Sequence, residues 1–332
     1  MADLPGPDLP GLDLARLAAY LRRAAPGLAG GALRAELLTG GRSNLTYALT
    51  DGRSRWVLRR PPLGHVLATA HDMGREYRVQ RALAPTAVPV PPMVHHCPDP
   101  AVLGAPFYLM RHVPGRAYRE PAELADWGPA GLRAVAFALV DVLADLHAVD
   151  PAQVGLADFG RPAGFAARQV RRWKAQLDAS RSRELPGIEE LHDRLAAAVP
   201  AGAAGVVVHG DFRLDNVLVT PDRTVAAVLD WEMSTLGDPL TDLALYLVHA
   251  GRLAAPGQPT GDELAAHYAR RSGRRLDDLD WYLAFAAFKL AVILEGVHYR
   301  YVRGQTVGAG FDTVGGRVPS LVAQGLERIR SA

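Results

Sequence analysis

The sequence predicts an α+β protein of two unequal lobes, a small β-rich N-terminal lobe and a larger, mainly helical C-terminal one. Three observations predict it. The 332 residues exceed one average core and fall short of three. Short β-like runs crowd into residues 1–113, and long helical patterns take over after Pro114-Gly115. Among those helical patterns lies an island of strand-like segments, 206–229, that ends at the acidic Asp230.

The N-terminal lobe, residues 1–113, begins with a leading helix over 12–25, where Leu14, Leu17, Ala18 and Leu21 recur at helical spacing before Pro26-Gly27 stops the pattern. Strands are expected at 33–39, 45–50 and 55–60, the last two joined by a turn containing Asp51-Gly52, which suits positive φ angles. A helix over 71–83, a proline-rich link over 85–92 and strands at 93–97 and 106–113 complete a lobe of five strands and one helix. In the C-terminal lobe, residues 114–332, helices are expected at 132–148, 165–177, 240–250 and 278–303, with strands at 206–208, 216–219 and 224–229. Leu283, Ala287, Leu290, Leu294, Val297 and Tyr301 make a helical stripe expected to be core.

Composition narrows the class of function. With 49% hydrophobic and 22% charged residues, the chain has enough apolar material to form a core without disulfides, and its single cysteine, Cys97, is compatible with a reducing compartment. The first 23 residues are proline-broken, and their flank up to Asp13 carries aspartates and no basic residue, unlike a secretory signal. The apolar stretch 281–294 is shorter than the ~20 residues of a membrane crossing, and Lys289 interrupts it. A cytoplasmic protein away from membranes is expected. A net charge of +2, with no basic run interleaved with aromatics, gives no sign of nucleic-acid binding, and nothing calls for an obligate protein partner. His95-His96-Cys97 cannot converge on a metal, because consecutive strand residues alternate sides.

The chemistry is concentrated in the island. Val206-Val207-Val208 runs into His209-Gly210-Asp211-Phe212-Arg213-Leu214-Asp215-Asn216, which sets a carboxylate and an amide five residues apart on one loop, and Asp230 closes the next apolar strand. Phosphoryl transfer needs a group to accept the attacking hydroxyl's proton and oxygen ligands that hold magnesium. Three oxygen-bearing side chains at strand ends supply such a set, although His, Asp and Asn also serve as ordinary turn residues.

HGDxxxxN followed by an apolar strand and Asp resembles the catalytic signature of the aminoglycoside phosphotransferase family, distant relatives of protein kinases. The segments LTGGRSNLTYAL, WVLRRPP, REYRVQRAL, HGDFRLDN and VLDWEMSTLGDPLTDLA are most similar to the branch containing the N-terminal domains of acyl-CoA dehydrogenase family members 10 and 11. The resemblance implies a bilobal, protein-kinase-like fold and an ATP- and Mg2+-dependent O-phosphotransferase acting on a small hydroxylated acceptor. It makes Asp211 the catalytic base and Asn216 and Asp230 the magnesium ligands, with His209 and Asp215 supporting the loop and Asp238 and Asp242 bracing the site.

For the nucleotide, Gly40, Gly41, Ser43 and Asn44 lie in a glycine-rich turn that can lay N–H groups over phosphates, or simply make a hairpin. Arg59 occupies the place of the kinase lysine, with Arg60 the alternative, and Glu76 is its expected ion-pair partner or a locally paired helix residue. Met110 and Arg111 fall at the expected hinge for adenine. No Walker A or GxGxxG sequence is present, and Gly210 and Trp231-Glu232 depart from the protein-kinase pattern.

The acceptor side is read from charge. Residues 161–185 hold seven basic residues against two acidic ones, Asp178 and Glu184, so Arg168, Arg171 and Arg172 are candidates for an anionic acceptor such as a hydroxyacyl coenzyme A thioester, or simply a solvated helix face. Glu295 and His298 face either the substrate or solvent. An aminoglycoside phosphotransferase and a nucleotide-binding pseudokinase are the competing functions; a metal-dependent hydrolase lacks a histidine-rich ligand set.

Overall fold

The structure, a computed structural model, describes residues 9–38, 44–63, 71–202, 205–251, 257–305 and 310–331. The predicted phosphate turn at Gly40, Gly41 and Ser43 lies outside them. In chain order the elements are α1 (Leu14–Ala24), β1 (Arg34–Leu37), β2 (Leu45–Thr50), β3 (Arg55–Arg60), α2 (Met73–Leu83), β4 (Met93–Cys97), α3 (Pro100–Leu103) and β5 (Phe107–Arg111). They continue with α4 (Gly128–Ala148), α5 (Phe165–Ser180), α6 (Ile188–Ala197), β6 (Val206–Val208), β7 (Val217–Val219), β8 (Val225–Val228), β9 (Thr235–Gly237), α7 (Pro239–Ala250), α8 (Gly261–Ser272), α9 (Leu279–Val302) and α10 (Val318–Ser331).

The chain forms two compact units, the first from Met1–Ala117 with Val217–Ser234, the second from Tyr118–Asn216 with Thr235–Ala332. A lobe boundary after residue 113 leaves 217–234 on the wrong side, and the reason is backbone pairing. Val219 and Arg116 exchange N–H···O bonds of 2.9 Å, Val228 donates to the Pro89 carbonyl at 2.8 Å, and the Arg75 guanidinium reaches the Ser234 carbonyl at 3.1 Å.

In the first unit five antiparallel strands run in the order β1-β2-β3-β5-β4. The β2–β3 turn is set by Asp51, whose carboxylate accepts the N–H groups of Arg53 and Ser54 at 2.9 and 2.7 Å, and by Gly52 at φ 89°. Side chains alternate across a strand, so the sheet buries two faces. Tyr47, Leu49, Trp56, Leu58, Phe107 and Leu109 pack toward Leu17 and Leu21 of α1. Val57, Tyr108 and Met110 pack with Met73 of α2 on the other. At roughly 25 cal/mol per Å2 of apolar surface, each of these large side chains contributes about 2–3 kcal/mol, and two faces fix the register of β3 because a one-residue slip would invert both.

The second unit is mainly helical. Helix α9 lies against α5, α6, α7 and α10. It is long and apolar enough, by length and composition, to cross a membrane, yet most of it is buried inside the unit. Because neighbours surround it, its buried residues run around the axis instead of along the expected stripe. Ala287 and Leu290 are buried, Leu283, Leu294 and Val297 only partly so, and Tyr301 is 41% exposed.

Candidate active site

Three buried valines of β6, paired with β9, deliver the chain into His209, Gly210 and Asp211. The turn is fixed from α7. Asp238 caps that helix by accepting the Leu240 N–H at 2.9 Å, with Pro239 in the first helical position. This puts Asp242 in the first turn, fully buried, where it accepts the N–H groups of His209 and Gly210 at 2.6 and 2.8 Å. Burial alone would raise the Asp242 carboxyl; the hydrogen bonds and the neighbouring His147 and His209 hold it below the usual carboxylate range. His147 of α4 stands behind, its Nε2 3.5 Å from Asp242 and its Nδ1 2.7 Å from the Tyr268 hydroxyl. Burial lowers the His147 pKa, against the pull of Asp242.

Asp211 is held by its own loop. Its N–H donates to His209 Nδ1 at 3.1 Å, and the Asn216 amide nitrogen donates to both its carbonyl and its Oδ2 at 2.9 Å. Arg213 lies between two carboxylates, with Nε 3.3 Å from Asp211 and Nη1 2.9 Å from Asp215. Burial raises the Asp215 carboxyl against the pull of Arg213. From α9, the Lys289 ammonium donates to the Gly210 carbonyl at 2.6 Å. Among the described residues Oδ1 of Asp211 has no hydrogen-bond partner, so the loop leaves one carboxylate oxygen available to accept a proton.

The first unit carries a second cluster. Arg59 and Arg60 point to opposite faces of β3. Arg59 Nε lies 3.1 Å from the Glu76 carboxylate, and its Nη2 pairs with Asp230. Arg60 turns toward α1, donating to the carbonyls of Gly11 and, at 2.8 Å, Leu103. Glu76 is buried, accepts a hydrogen bond from the Tyr108 hydroxyl at 2.9 Å, and is pushed up to about 7 by burial in spite of Arg59. Burial would lower Arg59; Glu76, with Asp230 and Glu232, outweighs it and holds the guanidinium above its ordinary value. Asn44 is buried beside them, with Nδ2 3.5 Å from Glu76 and 3.3 Å from Glu232. Asp230 follows β8 in the left-handed region, at φ 66° and ψ 58°.

Other predicted residues are engaged elsewhere. The Arg111 N–H donates to Pro92 at 2.8 Å and that of His112 to Arg55 at 3.2 Å, so neither donor is free at the expected hinge; Met110 is buried among the sheet residues. Arg168 bonds the carbonyls of Ala163 and Arg161. Glu295 does not face substrate or solvent. It is fully buried, accepting Ser182 Oγ at 2.8 Å and pairing with Arg183 at 3.0 Å. His298 packs against Gly315. Lys174 and Arg181 pair with Asp178 and Glu189, leaving Arg171 and Arg172 as exposed positive charges of α5. Sequence reasoning missed Arg213, Lys289, His147 and Tyr108; a cation inside an apolar helix was the available signal for Lys289.

Comparison with solved structures fixes the class. The chain superposes on a Ralstonia eutropha JMP134 protein, named as a candidate aminoglycoside phosphotransferase, with a TM-score of 0.84 and 34% identity over 96% of this chain and 99% of that one. An aminoglycoside phosphotransferase in ternary complex with AMP-PNP and hygromycin B shares the fold at 19% identity, with a TM-score of 0.61 over 95% of this chain and 98% of that one. The fold is thus the kinase-like one of small-molecule phosphotransferases. The chain belongs to the APH phosphotransferase enzyme family, whose model matches residues 34–285. Acyl-CoA dehydrogenase family member 11 of Gallus gallus is 37% identical over 95% of this chain, which spans 43% of that relative.

Proposed function

We propose that this chain uses ATP and magnesium to phosphorylate a hydroxyl group of a small anionic metabolite, a hydroxyacyl coenzyme A thioester being the specific candidate. The observation that carries the proposal is the Asp211 loop. Asp242, Asn216 and Lys289 hold it from three directions, and one oxygen of Asp211 is left to take a proton.

Each residue has a distinct task. Asp211 orients the acceptor hydroxyl and accepts its proton as the oxygen attacks. Arg59, kept charged and aimed by Glu76, binds nucleotide phosphates through its forked N–H groups. The donor chemistry fits magnesium, a hard cation that takes oxygen ligands. The Asn216 nitrogen is engaged by Asp211, so its Oδ1 is the atom left to bind a cation, and Asp230 offers a carboxylate that a guanidinium neutralises in this structure. Magnesium, when bound, would neutralise phosphate charge. Nucleotide use draws support from the AMP-PNP complex of the structural relative. The acceptor draws on the relatives named for acyl-CoA dehydrogenation and on the exposed charges of Arg171 and Arg172, which would repel a polycation.

An aminoglycoside acceptor is the second proposal, favoured by the name of the Ralstonia protein. Purified chain supplied with labelled ATP and a panel of hydroxyacyl-CoA thioesters, other hydroxylated metabolites and kanamycin-like amines separates the two. Label on an anionic alcohol, abolished by EDTA and reduced by roughly a hundredfold or more in Asp211→Asn, is expected. Label on amines alone would refute the anionic acceptor, and turnover indifferent to EDTA would refute the metal.

A further inference from the structure

The second unit gathers more positive charge and more unmatched donors near Asp211 than bracing the loop requires. Lys289, bonded to the Gly210 carbonyl, also lies 5.4 Å from the centre of the Trp173 ring, and the Arg172 guanidinium is 5.9 Å from the same ring. Among the nitrogens of the unit that are buried without a hydrogen-bond partner in the described residues are Trp173 Nε1, His249 Nε2 and Arg317 Nη2. These groups act on one another. Burial first, then the charges of Arg213, Lys289 and Arg317, push His249 down to about 3, so its imidazole is neutral. Burial likewise lowers the Lys289 ammonium; Asp211 and Asp242 resist the shift and Arg172 adds to it.

Convergent cations and buried N–H groups without acceptors cost free energy, and a folded protein keeps few of them. The nearby carboxylates do not match them all: Asp242 is occupied by backbone N–H groups, and Asp211 and Asp215 flank Arg213. An oxyanion would satisfy the set, because oxygens with several lone pairs accept from guanidinium, ammonium and indole together. We infer that Arg172, Trp173, His249, Lys289 and Arg317 form a subsite for a carboxylate or phosphate oxygen of the acceptor. The subsite deepens the phosphotransferase function proposed above and rests on it. Its place one residue from Asp211, through the Lys289–Gly210 bond, makes it a specificity element: it selects acceptors that carry an anionic group near the reacting hydroxyl.

The test needs no turnover. In 15N-labelled, nucleotide-free chain, the indole N–H resonance of Trp173 is identified by its loss in Trp173→Phe. The wild type is titrated at constant ionic strength with acetate in one arm, inorganic phosphate in a second and chloride as the control. A saturable shift with acetate or phosphate but not chloride is expected, and the tighter of the two names the oxyanion. Half-saturation should rise by about fivefold or more in both Arg317→Gln and Arg172→Gln, the expected scale for losing one charge-assisted contact. Arg172 is exposed, so its variant keeps the test valid should Arg317→Gln fail to fold. No saturable shift, an equal shift with chloride, or half-saturation unchanged in Arg172→Gln would overturn the subsite. A saturable shift in a chain that transfers no phosphate would refute only the function above; phosphate transfer without the shift would refute only the subsite.

Discussion

Lys289 donates to the Gly210 carbonyl oxygen at 2.6 Å, tying the core helix α9 to the residue that precedes Asp211. A charge-assisted bond of this kind contributes about 1.5–3 kcal/mol, a factor of roughly 10 to 100 if it is needed to aim the carboxylate. Lys289→Met should therefore lower kcat by that factor and leave the nucleotide KM nearly unchanged. Steady-state kinetics at saturating acceptor checks it; an unchanged kcat would show that the loop holds its shape without the ammonium.

Asp242 is matched to two N–H donors at once, through separate oxygens. Asp242→Asn replaces one acceptor oxygen by an amide nitrogen, which leaves a buried N–H facing another donor. The predicted cost is about 1–3 kcal/mol in urea unfolding, with a larger fractional loss in kcat than in stability. Equal stability of the two proteins would contradict it.

The pH dependence of Glu76 runs in opposite directions for stability and function. Its folded pKa, about 7, lies above the usual carboxylate range, so the folded state retains a proton that the unfolded chain releases. That contribution to stability is full below the unfolded value and disappears as pH rises through about 7. Arg59, by contrast, has Glu76 as a charged partner beside Asp230 only on the alkaline side. Nucleotide KM should rise several-fold from about pH 8 to about pH 6 as the carboxylate protonates, while resistance to urea increases. In Glu76→Gln both slopes should flatten, which parallel titrations of KM and unfolding midpoint would reveal.

The two arginines of β3 should separate cleanly. Arg60 holds the Gly11 and Leu103 carbonyls, so Arg60→Ala is expected to cost about 1–3 kcal/mol of stability with nucleotide KM little changed. Arg59→Ala should raise nucleotide KM by roughly tenfold or more. Thermal unfolding and nucleotide titration on the same preparations decide the matter; the reverse pattern would exchange their roles.

How much of this was legible in the sequence depended on the range of the interaction. The strands of the first unit and the HGD loop announce themselves through alternation and turn residues, which are local. The choice between Arg59 and Arg60 was also written there. Arg59 shares its face with Val57, and Arg60 with Trp56 and Leu58, so strand periodicity with the position of α2 separates them. Glu295 was misjudged because helical spacing does not say how many neighbours surround a helix; Ser182 and Arg183 come from 112 or more residues away. Residues 217–234 were assigned by sequence proximity, whereas backbone bonds to Arg116 and Pro89 decide where they pack. Lys289 and His147 act through partners 79 and 95 residues distant, which no local pattern reports.

The left-handed backbone at Asp230 has a practical consequence for anyone building an inactive control. Asparagine and aspartate tolerate that conformation better than other residues with a side chain, and glycine adopts it freely. Alanine would introduce a steric penalty on the order of 1 kcal/mol alongside the missing carboxylate, so a dead Asp230→Ala enzyme would not say which loss killed it. Asp230→Asn removes the charge on a permitted backbone, and Asp230→Gly removes the side chain without strain. Agreement between those two, and not the customary alanine, would isolate the carboxylate as the cause.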